Sequence, residues 1–182
     1  GNCKIENVGD EALDMSSCID SVMTDNLVIN SPGAGSGGGG ISVGDGSKNV
    51  RVINNTVIGS VDNASKTNFG IAVEALNGYI SNITVENNFV QDVNGYGINI
   101  GAPKGHVEGV LVQNNTVTDC RDGGIHFGGS GQTDDVRLLD NTVSNTAIGI
   151  YVEGGNKDQT LIDNCTVDNT TSHGIKIDAT SS

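Results

Sequence analysis

One pattern recurs along this chain and leaves it few folds. In residues 111–117, Leu-Val-Gln-Asn-Asn-Thr-Val, an apolar side chain stands three places before Asn115 and a valine two places after it. A short polar turn follows, and then Gly124-Ile-His-Phe127. The Asn115 position returns at Cys3, Asn26, Asn55, Asn88, Asn141 and Cys165, at intervals of 23 to 33 residues, with Ile5, Val28, Val57, Val90, Val143 and Val167 two places beyond. The second motif keeps step. Gly40, Gly70, Gly97, Gly124, Gly149 and Gly174 each precede an Ile, an intervening residue and another apolar one, and Ala12-Leu-Asp-Met15 fills that place in the first repeat.

A unit of this size cannot bury its apolar side alone and must stack on copies of itself. Side chains alternate along a short strand, so in Gly-Ile-x-Val the Ile and Val turn inward and the residue between them turns out. The chain therefore reads as all-β: a single-stranded parallel β-helix of about seven rungs with three faces, right-handed by the usual sense of parallel crossovers. Stacked Asn side chains inside one turn of each rung form a ladder, each amide bonding the next, as in cross-β assemblies. A buried amide without such partners costs about 1–3 kcal/mol, so the ladder explains why Asn recurs at an inward position.

Composition narrows the function. The formal net charge is -13, and the nine Lys and Arg are scattered singly, so no basic stripe exists to neutralise phosphates and nucleic acid is excluded as a partner. No run is long and apolar enough to span a bilayer, and no basic start followed by an apolar stretch marks a signal peptide, so the chain is expected not to insert in a membrane and to be mature or excised from a longer one. With 182 residues and one uninterrupted repeat, residues 1–182 form a single domain. Asn54, Asn63, Asn82, Asn114, Asn164 and Asn169 each begin an Asn-x-Ser/Thr glycosylation acceptor, although Asn-Asn-Thr is also what the repeat is made of.

The Asn-x-Val and Gly-Ile-x-Val repeats resemble those of the right-handed parallel β-helix superfamily, the pectate-lyase-like fold, over nearly the whole chain. That resemblance implies an extracellular or cell-surface scaffold hosting polysaccharide lyases, glycoside hydrolases, uronate epimerases or non-catalytic surface proteins. It does not choose among them.

The outward residues of the Gly-Ile strands are Asp14, Ser42, Ala72, Asn99, His126, Tyr151 and Lys176. Consecutive rungs are about 4.8 Å apart, so His126, Tyr151 and Lys176 are expected in one row, with Glu74, Glu153 and Asp178 one outward place further on. Such a group suits removal of the proton beside a uronate carboxylate, with His126 or Tyr151 as base, the other as acid, and Lys176 neutralising the carboxylate. Asn99, Glu74, Glu153 and Asp178 would bind the polysaccharide or other glycan. Long insertions at 31–39 and 60–69 are expected to raise one wall beside this row, and the loops 74–80, 101–109, 128–135 and 154–159 a second. Calcium is the candidate cofactor, with Asp10, Glu11 and Asp14 as candidate ligands.

Cys3 and Cys165 occupy the ladder position in the first and last rungs, about 29 Å apart and out of reach of each other. Head-to-tail stacking of two chains would make them neighbours and candidates for an intermolecular disulfide. A non-catalytic module of a surface fibre, adhesin or filament is accordingly the alternative to an enzyme.

Overall fold

The fold is that of a computed structural model, which describes residues 1–29, 39–59, 69–154 and 156–178, the side chains of 156 and 157 excepted. It is a parallel β-helix without helices among the described residues, and its faces follow the two motifs. Lys4–Glu6, Leu27–Ile29, Thr56–Ile58, Phe89–Gln91 and Thr116–Thr118 stack in that order into the face that follows the Asn turn. Leu13–Met15, Gly39–Val43, Phe69–Glu74, Tyr96–Gly101 and Gly123–Gly128 stack into the Gly-Ile face. The long strands Thr142–Val152 and Thr166–Ile177 round the corner between these faces and join them into one 12-stranded sheet. The third face, from Val22–Thr24 through Lys48–Ile53, Tyr79–Glu86 and His106–Gln113 to Gln132–Leu139, belongs to a separate 7-stranded sheet that leads into the Asn turn.

Every pairing is parallel and every motif pairs with its own copy, Ile98 with Ile71 and Ile125, and Val117 with Val90 and Val143. Ile41, Ile71, Ile98, Ile125 and Ile150 are sealed from solvent, as are Val28, Val57, Val90, Val117 and Val143. The ladder forms as expected. Asn26, Asn55, Asn88 and Asn115 each donate both the backbone N–H and the side-chain Nδ2 to the Oδ1 of the next Asn, at 2.9–3.1 Å. At its two ends, Cys3 N–H donates to Asn26 Oδ1 and Asn141 Nδ2 donates to Cys165 Sγ. Cys3 is exposed and Cys165 half-buried, at opposite ends of the ladder, and both are free thiols.

The glycine of the Gly-Ile motif has a steric cause. A Cβ on Gly70, Gly97, Gly124 or Gly149 would lie 2.2–2.3 Å from Cγ1 of the valine in the next turn, respectively Val90, Val117, Val143 and Val167. The residue before each ladder position, Asn2, Asp25, Asn54, Asn87, Asn114, Asp140 or Asn164, has φ between 49 and 60°, a left-handed conformation that Asn and Asp tolerate best among side-chain-bearing residues. The Asn-Asn pair thus does two jobs: the first residue makes the corner and the second makes the ladder.

Candidate functional site

The groove lies on the outer side of the Gly-Ile face. Strand register places Asn99 beside His126, His126 beside Tyr151, and Tyr151 beside Lys176, which is the expected row. Glu74 pairs with Gly101 and Gly101 with Gly128, while Glu153 N–H donates to Phe127 and Asp178 N–H to Val152. The second outward column is therefore Glu74, Gly101, Gly128, Glu153, Asp178. Two glycines leave bare backbone between two carboxylates about 14 Å apart at the main chain. A Cβ on Gly128 would come within 2.6 Å of His126 Nε2 and 2.5 Å of Glu153 Oε2, so this floor exists because the side chain is missing.

His126 is held from several sides. Asn99, 4% exposed, donates Nδ2 to Glu74 Oε1 at 2.6 Å, which turns its Oδ1 toward His126 Nδ1, also 2.6 Å away. An amide oxygen only accepts, so Nδ1 carries the hydrogen and the lone pair of the neutral ring sits on Nε2. Nε2 lies over the Gly128 floor with Glu153 Oε2 3.6 Å away, and Glu153 is fixed by Gly129 N–H at 3.0 Å. The Tyr96 ring stacks on the imidazole at 4.4 Å and 18° from one turn, and Tyr151 leans over it at 5.2 Å from the next. Only 14% of the His126 side chain is exposed. Glu74, Asn99, His126, Gly128, Ser130 and Glu153 are among the residues that line a pocket of about 360 Å³.

Protonation distinguishes these groups. Burial, and more weakly the charge of Glu11, pushes the Glu74 carboxyl above the usual carboxylate range despite the Asn99 hydrogen bond. Burial likewise raises the Tyr96 phenol, which serves as a neutral ring. The rest of the row is engaged with Asp178. Tyr151 Oη donates to Asp178 Oδ2 at 2.7 Å, and that bond holds its proton on and raises its pKa. Lys176 Nζ donates to the same oxygen at 2.9 Å and lies 4.3 Å over the Tyr151 ring. Asp178, lowered by these two bonds, pairs with Lys176, the cation expected to neutralise a substrate carboxylate.

The other sequence candidates lie elsewhere. Asp10, Glu11 and Asp14 share the first turn, and burial with the neighbouring Asp10 and Asp14 raises Glu11. Asp14 accepts from Ser16 Oγ at 3.3 Å, and among the described residues no three His, Cys, Asp or Glu side chains are placed to hold a metal ion. Asn54, Asn82, Asn114, Asn164 and Asn169 are exposed, but the amides of Asn82, Asn164 and Asn169 already donate to Asn49, Asp140 and Asn145. Asn63 lies outside the described residues, as does nearly all of the first expected wall. The second wall is tightly stacked, Ala75 N–H bonding Gly101 O and Ala102 N–H bonding Gly128 O, and contributes Pro103 and Ser130 to the pocket.

Sequence reasoning missed Tyr96, the Gly101–Gly128 floor and Gly129. Glycine in the second outward column, between Glu74 and Glu153, was the legible signal. A wider depression of about 610 Å³ beside Asp119, Cys120 and Arg121 offers no comparable chemistry, because burial pushes the Cys120 thiol up to about 12. On the third face, His106 Nε2 meets Asp134 Oδ2 at 2.9 Å, and Gln132 donates to the same oxygen at 2.7 Å.

Comparison with known proteins agrees with this architecture. No curated protein matches the sequence significantly. Among solved structures, PfbA, a surface adhesin of Streptococcus pneumoniae, is similar at 10% identity over 91% of this chain and 72% of its own. The TM-score is 0.18, too low to align the two turn by turn. The family model described as a right handed beta helix region matches residues 61–182. With that match and a parallel coil built from both motifs, the chain belongs to the right-handed β-helix family.

Proposed function

We propose that the groove binds a polysaccharide outside the cell and processes it by proton transfer at His126, as a lyase or uronate epimerase. The observation that carries this reading is the Glu74–Asn99–His126 chain, which fixes the imidazole tautomer and presents Nε2 to a pocket with a bare floor. In that reaction the C5–H bond of a uronate breaks, the proton goes to Nε2, and the electron pair moves into the carboxylate as an enediolate. Loss of the 4-linked oxygen, which takes a proton from water, gives an unsaturated product. Reprotonation on the opposite face gives the epimer. Glu153 supports the imidazolium that forms. Calcium would assist by bridging the polyanion to the acidic surface.

Incubation with acidic polysaccharides, with and without calcium, should yield ultraviolet-absorbing unsaturated ends or exchange of the C5 proton with deuterium. His126→Ala should abolish either. Turnover unchanged in H126A, or absent on every uronate polymer, would end the catalytic reading.

A second reading, a non-catalytic surface module built by head-to-tail stacking, draws support from Ile19 and Val22 in the early turns and Ile175 and Ile177 in the last, all about half exposed or more. Light scattering without reductant, compared with Cys3→Ser, would decide it. A monomer at high concentration would exclude it.

A further inference from the structure

A uronate needs something to offset its carboxylate, yet among the described residues no Lys or Arg lines the pocket, and Lys176 is paired with Asp178. The donors nearest the floor are committed: Asn99 Nδ2 to Glu74, Gly129 N–H to Glu153, and Ser130 Oγ to the carbonyl of Pro103. Glu74 differs. Its Oε1 accepts from Asn99, its Oε2 has no partner among the described residues, and the side chain lines the pocket at one end of the glycine floor.

Resting on the reading of this groove as a uronate site, we infer that Glu74 works as a carboxylic acid. Its Oε2 hydroxyl donates to the carboxylate of the uronate seated on the Gly101–Gly128 floor, and so offsets that charge without a cation. Glu74 thereby selects the substrate by pH: protonated, it receives a uronate, and ionised, it repels one. A carboxylic acid kept neutral by an apolar or acidic setting is a competent hydrogen-bond donor to a developing or resident anion.

The surroundings favour the neutral form. The strand Gly39–Val43 on one side of Phe69–Glu74 brings no titratable group, and Tyr96–Gly101 on the other brings only Tyr96. From the turns beyond, the charge of Glu11 acts on Glu74 from below, and His126, through Asn99, and Glu153, across the floor, stand above it. The Glu11 charge opposes a further negative one. Burial acts in the same direction.

Binding of uronate tetramers (galacturonate, mannuronate, guluronate and glucuronate) would be measured calorimetrically with chelator present, at about pH 5 and about pH 8, for the wild type and for Glu74→Gln and Glu74→Ala. Glutamine keeps the Asn99 bond through its oxygen and carries a permanent donor where the acid has its proton. The wild type should bind one tetramer about tenfold or more tighter in acid. E74Q should lose most of that gain, keeping only what protonation of His126 supplies, and E74A should bind weakly at both. A neutral galactose tetramer should show no such pH dependence, and melting curves would confirm that the variants fold. Uronate binding independent of pH in the wild type, or a pH dependence as large in E74Q as in the wild type, would overturn the inference while leaving His126 as base. Binding that behaves as expected without turnover would remove the catalytic reading alone. No binding of any uronate would end both.

Discussion

Replacing Asn115 with alanine tests what the ladder contributes. Its Oδ1 accepts from Asn88 N at 2.9 Å and Asn88 Nδ2 at 3.0 Å. Its own Nδ2 donates to Asn141 Oδ1, Val85 O and Gln113 O at 2.9–3.0 Å. Alanine removes all of these in a site 1% exposed, and the Asn88 N–H is left facing a void. At a net value of about 0.5–1.5 kcal/mol per bond, and more for the stranded donor, N115A should cost about 3–5 kcal/mol. Against a total stability of about 5–15 kcal/mol that is a large fraction, and each turn touches only its neighbours. Urea unfolding followed by circular dichroism should show an earlier and broader transition, as the stack yields first at the damaged turn. Asn114→Ala is the matched control: the side chain is exposed, and only the left-handed φ of 53° is compromised. N115A no more costly than N114A would mean that the ladder bonds merely replace bonds to water, and the argument would fail. Asn115→Asp should be worse than alanine near neutrality, because it offers no donor to three acceptors and buries a charge.

Gly97→Ala places a methyl 2.2 Å from Val117 Cγ1 and 3.0 Å from Cys120 Sγ, and should destabilise by about 1–3 kcal/mol or more in the same assay. The pair G97A/V117A should recover part of the loss, and simple additivity would refute the steric account. Glu74 gives a signed prediction for stability. Its folded pKa is raised, so the native state binds the proton more tightly than the unfolded chain does. The stabilisation is fully present below the unfolded value near 4.5 and is lost as pH rises through the folded value. Relative to E74Q, the wild type should therefore gain stability on acidification, and a relative gain toward alkaline pH would contradict the burial of this carboxyl.

The repeat made the architecture legible because inward positions in a stack of parallel turns are answerable only to their own copies. Val in one turn meets Val in the next, and Asn meets Asn, so the period alone gave the faces, the register and the ladder. The reason for the glycine was not legible, since the clash it avoids lies between Gly97 and Val117, in different turns. Tyr96 escaped for a related reason. The alternation that sorts inward from outward residues breaks at the corner, where Gly97 rather than Tyr96 sits against the core. The row itself could be read from the sequence. Its protonation could not, because the state of Tyr151 and Lys176 is set by a single oxygen of Asp178.

Folding places little demand on the outward residues of the Gly-Ile face. Asp14, Ser42, Ala72, Asn99, His126, Tyr151 and Lys176 all occupy equivalent outward places between two apolar residues of their strands, and the coil accepts each of them. Against that indifference, one stretch departs from what stability alone would favour. Glu74 is a largely buried carboxyl whose charge is disfavoured, Asn99 is spent on holding an imidazole, and two successive glycines forgo side chains that would cover the groove. The ladder needs none of these, and a Thr or Gln at each place would serve the fold at lower cost. Local choices that conflict with the economy of the whole tend to mark functional sites. The same four turns therefore combine the least economical residues of the sheet with a pocket along this row, and that coincidence supports the proposed site on the outer side of Glu74, Asn99, His126 and Glu153.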